Sequence, residues 1–314
     1  DSEGWQHEEY LDVDHRVLPM ELAEINGVPV GISIETRTGA IRARVWKIAV
    51  GRNTLLLLDA NVEGNVPEDR ELTSRLYGGD SRVRIRQELL LGVGGMRALA
   101  ALGIAPSVAH LNEGHSAFAA LEMLRQKMTA EGVDVFEAIR RVAPRVVFTT
   151  HTPVPAGHDR FHVDLVEEHL GPLRDALGLD YHTFMGLGRV EPQDPGEGFC
   201  MTVLALKLSR RANAVSSLHG QVSRAMWNSL YPNRDEQEVP IGHITNGVHT
   251  RTWLASEMRQ VYDRHFGPDW PARADTPGFW DAIAAVDDAE LWETHQTLRV
   301  KLVETARRRA ARFA

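Results

Sequence analysis

Between residues 30 and 59 apolar and polar positions alternate. Ile32 and Ile34, then Ile41, Ala43 and Val45, line one side of their segments, and Leu55–Leu56–Leu57–Leu58 follows a turn at Gly51–Arg52–Asn53. That alternation predicts a small antiparallel meander with one buried face. Residues 67–79 are polar and run into Gly78–Gly79–Asp80, which predicts a connection or a short helix. The period then lengthens. Leu89, Val93, Met96 and Ala100 recur at helical spacing, a stripe meant for a core, while Gly92, Gly94 and Gly95 weaken that helix and permit close packing.

From residue 107 onward one unit repeats. The apolar run Ser107–Val108–Ala109–His110–Leu111 is followed by Asn112–Glu113–Gly114–His115–Ser116 and a helical stretch over 117–127. Val146–Val147–Phe148–Thr149–Thr150 leads to the loop 151–159, Ala212–Asn213–Ala214–Val215–Ser216–Ser217 to a helix over 218–228, and Ile241–Gly242–His243–Ile244–Thr245 to Asn246–Gly247–Val248–His249. Residues 157–198 read as helices with an irregular tail, and 192–198 as a loop. Strands alternating with helices predict a parallel sheet with right-handed crossovers, an α/β doubly wound fold. In such sheets ligands bind outside the carboxyl ends of the strands. Asn112, Glu113, His115, His151, Ser217, Asn246 and His249 all fall just past predicted strands and are candidates for one crevice.

Composition narrows the function classes. With 43% hydrophobic and 25% charged residues in 314, the chain can bury a sizeable core. A formal net charge of -8 supplies no positive field for a polyanion, so nucleic acid is excluded as a partner. The single Cys200 permits no internal disulfide and points to a reducing, cytoplasmic setting. The longest apolar runs are too short to span a membrane, and the N-terminus has no signal-peptide pattern. Residues 1–14 are acidic and start without a methionine, and 289–313 read as a helix growing steadily more basic through Arg307, Arg308, Arg309 and Arg312. Together the ends read as those of a fragment.

Each candidate has an ordinary structural explanation beside the functional one. His110 and His115 flank Asn112 and Glu113, but a zinc pair needs helical i, i+4 spacing, so His110 reads as a strand histidine hydrogen-bonded in place. At the Glu113–His115 corner, capping of the next helix by Ser116 competes with ligand binding. The loop from His151 is the sharper signal, because Pro153 and Pro155 stiffen it and Gly157 ends it. Asn246–Gly247 alone reads as an ordinary turn, and Trp253 alone as core packing. The chain has no serine elbow, Walker loop or dinucleotide fingerprint.

The order and wording of the strand ends resemble the bacterial branch of the α-glucan (glycogen and maltodextrin) phosphorylases. The residues that carry the likeness are His110–Leu111–Asn112–Glu113–Gly114–His115–Ser116, the run Val147 through His158, and Ile244 through Trp253. Leu76–Tyr77–Gly78–Gly79–Asp80 with Arg86–Gln87–Glu88 extends it from about Leu55 to the C-terminus.

This resemblance implies the first, Rossmann-like half of a GT-B glycosyltransferase. Residues 1–288 would be the sugar-side domain, incomplete at its start, and 289–314 a helix leading to a cofactor domain outside the chain. The implied reaction is retaining phosphorolysis of a terminal α-1,4-linked glucose to α-glucose 1-phosphate, with α-glucan and inorganic phosphate as substrates, pyridoxal phosphate as cofactor and a homo-oligomeric parent. By the same resemblance His151 is catalytic, its side chain reaching the sugar 6-hydroxyl and its carbonyl lying near the anomeric carbon. Asn246 binds the same hydroxyl, Glu113 and His115 line the sugar cleft, and Trp253 packs beside the cofactor; no metal site is implied. The Schiff-base lysine and the phosphate-binding basic residues have no counterpart here, so the chain alone is expected to be inactive and unable to hold the cofactor covalently. Two rivals stand beside this reading: a glycogen or starch synthase using a nucleotide sugar, and a non-catalytic glucan-binding module.

Overall fold

A computed structural model describes residues 14–75 and 79–311. The acidic opening at 1–13, the Leu76–Tyr77–Gly78 part of the family-like motif, and the helix end at 312–314 with Arg312 lie outside the described residues. The chain forms two compact units, Asp1–Thr245 and Asn246–Ala314. The division thus follows the last strand, whereas the sequence reading drew a boundary before the final helix.

The first unit opens with the expected meander. Strands β1 (Met20–Leu22), β2 (Gly31–Thr36), β3 (Gly39–Val50) and β4 (Asn53–Asp59) form an antiparallel sheet around β3, which pairs with β2 along its first half and with β1 and β4 along its second. Ile32, Ile34, Ile41, Ala43 and Val45 are buried, so the alternation read from the sequence is the alternation of inward and outward faces. In β4 the leucine run splits between the faces, leaving Leu55 and Leu57 exposed.

A single helical turn at Pro67–Arg70 precedes α1 (Ser81–Leu89), which Asp80 caps by accepting from the amides of Arg82 and Val83. The helix then passes through a π turn at Leu90–Gly94 before α2 (Gly95–Ala101). Leu89, Val93 and Met96 are buried as the stripe predicts. Ala100 is exposed and Ala98 takes the buried place. The wider π turn rotates the following residues off the α-helical stripe. The glycines explain why the chain tolerates the turn. A Cβ on Gly92 would stand 2.6 Å from the Ala119 amide nitrogen and 2.9 Å from the Phe118 Cβ, and one on Gly94 would stand 2.8 Å from Ile32 Cδ1. Gly95, by contrast, faces open space.

The second sheet is wholly parallel, in the order β8 (Ile241–His243), β7 (Arg211–Ala214), β6 (Val146–Thr150), β5 (Ala109–Asn112). Between its strands run α3 (Phe118–Glu131) and α4 (Val135–Val142), then α5 (Val163–Ala176), α6 (Tyr181–Gly186) and α7 (Met201–Leu208), then α8 (Ser217–Trp227). Val146 and Phe148, together with Thr149 and Thr150, are buried, as both faces of a helix-covered strand must be. The α3 segment from Phe118 to Leu124 is buried throughout, including Glu122, whose carboxylate is paired with Arg125. This helix forms the centre of the core. The strands are shorter than their apolar runs: Ser107, Val108 and Ser217 fall outside them, the last inside α8. The order of the parallel sheet runs one way, with no reversal among its described strands. The fold is thus α/β with this parallel sheet, the antiparallel meander and two short antiparallel strand pairs, Glu24–Ile25 with Val28–Pro29 and Arg160–Phe161 with Phe199–Cys200.

In the second unit α9 (Ser256–Phe266) and α10 (Asp288–Ala310) enclose a small core of Met258, Val261 and Val286. Tyr262, Phe266, Trp270 and Trp280 pack edge to face beside it, with ring centroids 5.4–5.9 Å apart. The basic last turn of α10, Arg307–Arg309, lies where cations suit the helix dipole. No helix among the described residues is long and apolar enough to cross a membrane.

The glycine geometry separates two neighbouring substitutions. Gly92→Ala is expected to lower stability by about 1–3 kcal/mol through overpacking, whereas Gly95→Ala should raise it by about 0.5–1 kcal/mol through helix propensity. Urea midpoints of the two variants decide the matter, and equal midpoints would contradict the close packing at Gly92.

Candidate active site

The parallel strands β5 and β6 end side by side, and their last residues build a polar corner. Asn112 pairs with Thr149, and the Glu113 amide extends the ladder to the Thr149 carbonyl at 2.9 Å. At Glu113 the backbone turns to φ 65°, ψ 174°, a region that side-chain-bearing residues rarely enter and that costs on the order of 1–3 kcal/mol. This turn directs the side chain across the strand ends. The buried carboxylate accepts from the His151 amide through Oε1, which also faces Thr150 Oγ1 at 3.4 Å and Thr152 Oγ1 at 3.1 Å. Oε2 accepts from the Gly114 amide at 3.3 Å.

The loop after β6 is held at both ends. At its start the Glu113 carboxylate ties down residues 150–152. At its far end the buried His158 ring makes a 2.8 Å hydrogen bond through Nδ1 to Thr202 Oγ1 and lies edge-on to Trp227 with centroids 5.0 Å apart. The Asp159 carbonyl accepts from the Met201 amide at 3.1 Å. Between the anchors, Gly157 approaches so closely that a Cβ there would meet Thr152 Cγ2 at 2.3 Å. The prolines and the glycine of the sequence reading thus serve one fixed path. His151 stands exposed at its head, outside the carboxyl end of the sheet.

His115 has different company. Its Nδ1 lies 3.3 Å from Asp159 Oδ2 and 3.6 Å from Glu88 Oε1. Arg84 Nη2 lies 2.9 Å from Glu88 Oε1, 3.0 Å from Asp159 Oδ2 and 3.2 Å from His115 Nδ1. Ligand atoms of Glu88, His115 and Asp159 come within 4.8 Å of one another, a spacing a metal could use. The guanidinium nitrogen already stands within hydrogen-bond reach of all three, so the cluster carries its own cation.

Ser116 does not cap α3. Its hydroxyl faces the Glu113 carbonyl at 3.5 Å, and the helix starts from Ala117 without a side-chain cap. His110 behaves as the ordinary reading expects, with Nε2 2.7 Å from Thr149 Oγ1, which in turn donates to Asn213 Oδ1 at 3.0 Å. This ladder across β5, β6 and β7 was not singled out from the sequence, although polar residues in otherwise apolar strands are the signal for it. Arg84, Glu88 and Asp159 were also missed as site residues. They lie on a helix and a loop remote in sequence from His115, and although Glu88 belongs to the family-like wording, nothing in the sequence ties it to that histidine.

Asn246 and Trp253 belong to the second unit. Asn246 is its first residue, exposed and outside helix and strand, and Trp253 ends the helical turn Thr250–Trp253 with 79% of its surface exposed. The default reading of Trp253 as a core residue therefore fails. Among the sequence candidates the structure brings Glu113 and His151 into contact and holds His115 in the adjoining charge cluster.

Titration of that cluster gives a pH test. Hydrogen bonds to Asp159 and Glu88 push His115 up to about 9 from 6.5. Burial pushes Glu88 up to about 8 from 4.5. At Asp159 burial opposes ionisation, but hydrogen bonds from His115, Glu88 and Arg84 outweigh it and hold the carboxyl below its usual range. Both raised groups bind protons in the fold that the unfolded chain has released, so their stabilisation is lost as pH rises. For His115 the loss runs from about pH 6.5 to 9, and for Glu88 from about 4.5 to 8. The urea midpoint is expected to fall between pH 6.5 and 9 and to fall less in Glu88→Gln, whose neutral side chain does not titrate; parallel pH profiles for the two proteins would refute this.

Comparison of the sequence with known proteins finds relatives along nearly all of the chain. No family model matches the chain. The maltodextrin phosphorylase of Thermococcus litoralis is 40% identical over 98% of the chain. The glycogen phosphorylase of Mycobacterium tuberculosis is 42% identical over 98%, and that of Aquifex aeolicus 34% over 98%. The chain spans 36% of the length of the first two relatives and 44% of the third. Along almost its whole length the chain is therefore a homologue of one part of the glycogen and maltodextrin phosphorylases.

Proposed function

We propose that this chain is the sugar-side part of an α-glucan phosphorylase, a glycosyltransferase that cleaves a terminal α-1,4-linked glucose with inorganic phosphate and releases α-glucose 1-phosphate with retention. The observation that carries this reading is the identity of 34–42% over 98% of the chain to proteins named as phosphorylases. In this reading the chain forms the first, Rossmann-like half of a GT-B enzyme working in the cytoplasm. The parallel sheet with polar residues at its strand ends is compatible with the assignment.

The chemistry asked of the chain is substrate positioning and stabilisation of positive charge. His151 would present its imidazole to the sugar 6-hydroxyl and its carbonyl dipole to the anomeric carbon, where oxocarbenium character develops. A loop anchored at both ends is suited to that, because preorganised dipoles do not need to reorganise during the reaction. Asn246 would be a sugar ligand of the second unit, and His115 would line the cleft while the Asp159 carboxylate balances its charge. Trp253, with most of its indole exposed, has a face available for the planar ring of pyridoxal phosphate. When bound, that cofactor would supply a phosphate acting as proton relay to inorganic phosphate.

The relatives named above are phosphorylases, which favours this reading over a synthase using a nucleotide sugar. The test is phosphate-dependent release of glucose 1-phosphate from maltodextrin by the protein that contains this chain together with its cofactor-binding part. His151→Ala there keeps the carbonyl but removes the imidazole, and is expected to lower kcat/KM by about tenfold, the loss of one hydrogen bond to the sugar. Glucan extension from a nucleotide sugar, without phosphate dependence, would overturn the assignment.

A further inference from the structure

We infer that Glu113 acts as a positioning residue for His151 and not as a sugar ligand. This rests on the proposed sugar role of His151. The residue is 8% exposed and its acceptor capacity is directed inward: Oε1 serves Thr150, the His151 amide and Thr152, and Oε2 serves Gly114. An ionised carboxylate has acceptors and no donor, so it suits a cluster of N–H and O–H groups and nothing else. Three consecutive residues are thereby tied to one oxygen. Anchoring the His151 amide and the Thr152 hydroxyl constrains the peptide groups on both sides of His151, which sets where its carbonyl and imidazole point.

The backbone of Glu113 supports the same conclusion. Its amide is held in the ladder with Thr149, so the strand determines where the residue sits. The positive φ then redirects the side chain toward the end of the neighbouring strand. Strained conformations of this kind persist where surrounding contacts hold them, and here the contacts are those of the carboxylate. A sugar ligand would need its oxygens facing the open side of the strand ends. His151 faces that side, and Glu113 lies beneath it.

Two substitutions separate the carboxylate from the strain. Glu113→Gln keeps the size but replaces one acceptor with a donor, and Glu113→Gly removes the side chain while suiting the positive φ. In NMR on this chain, the free-state His151 amide should exchange at least about tenfold faster in both variants, the loss expected for a hydrogen bond to a charged group. In the protein that contains this chain together with its cofactor-binding part, titration with a maltooligosaccharide should show about tenfold weaker binding in both variants and in His151→Ala, with Glu113→Gly keeping its melting temperature. A structural role alone would not lower affinity at unchanged stability. Wild-type exchange and affinity in Glu113→Gln and Glu113→Gly would overturn the inference, and so would lost affinity with unchanged His151 exchange, which would make Glu113 a direct ligand. If the unsubstituted full-length protein shows no response to the sugar, the sugar role of His151 fails, and the exchange measurement on this chain still decides whether Glu113 sets the loop.

Discussion

The strand-end corner depends on one buried carboxylate. Glu113 leaves the parallel ladder through a strained backbone turn and sends its side chain under the loop that follows the neighbouring strand. There it collects the His151 amide and faces two threonine hydroxyls, so the head of that loop is held from below. A neutral side chain of the same length could not accept all of these groups. The far end of the loop is held separately, through His158 and Asp159, by residues of the segment that begins α7. An exposed histidine on a loop pinned at both ends is a preorganised group, and that makes the corner chemically useful.

The corner also depends on how closely the elements behind it approach. The π turn at Leu90–Gly94 lets α1 and α2 pass α3 at a distance only glycine allows, with Gly92 against the backbone of residues 118 and 119. Gly114 does the same on the other side of the turn, where a Cβ would lie 3.1 Å from Met201 Cβ and 3.2 Å from the Thr202 amide nitrogen. These approaches bring α1 near enough for Arg84 and Glu88 to meet His115 and Asp159. The charge cluster therefore follows from the packing as much as from the residues in it. Arg84 lies at the centre of a set that would otherwise resemble a metal site, which shows how three ligand-like side chains can serve an internal ion-pair network instead.

Much of this was legible in the sequence. The antiparallel meander, the helical stripe and the repeated strand–helix units follow from periodicity, because each element must bury one face and the spacing of apolar residues records which one. Ile32, Ile34, Ile41, Ala43 and Val45 lie inward as their alternation requires. The stiffness of the loop from His151 was readable from its prolines and glycine, and the family from the wording of the strand ends. The stripe failed at Ala100, where the π turn shifted the register that periodicity assumes.

Tertiary structure decided the partnerships. Periodicity says which face of a segment is buried but not which distant residue it meets, so the contact of the Glu113 carboxylate with residues 150–152 is not written in the order of residues. The same limit hid Arg84, Glu88 and Asp159, whose roles arise only when a helix and a loop far apart in sequence converge on His115. It misplaced Trp253 as well, since an apolar side chain records a preference for burial while neighbouring elements determine whether burial occurs. The sequence by itself determined the elements and the chemical groups at the strand ends; the three-dimensional packing determined which of those groups face outward and which hold the others in place.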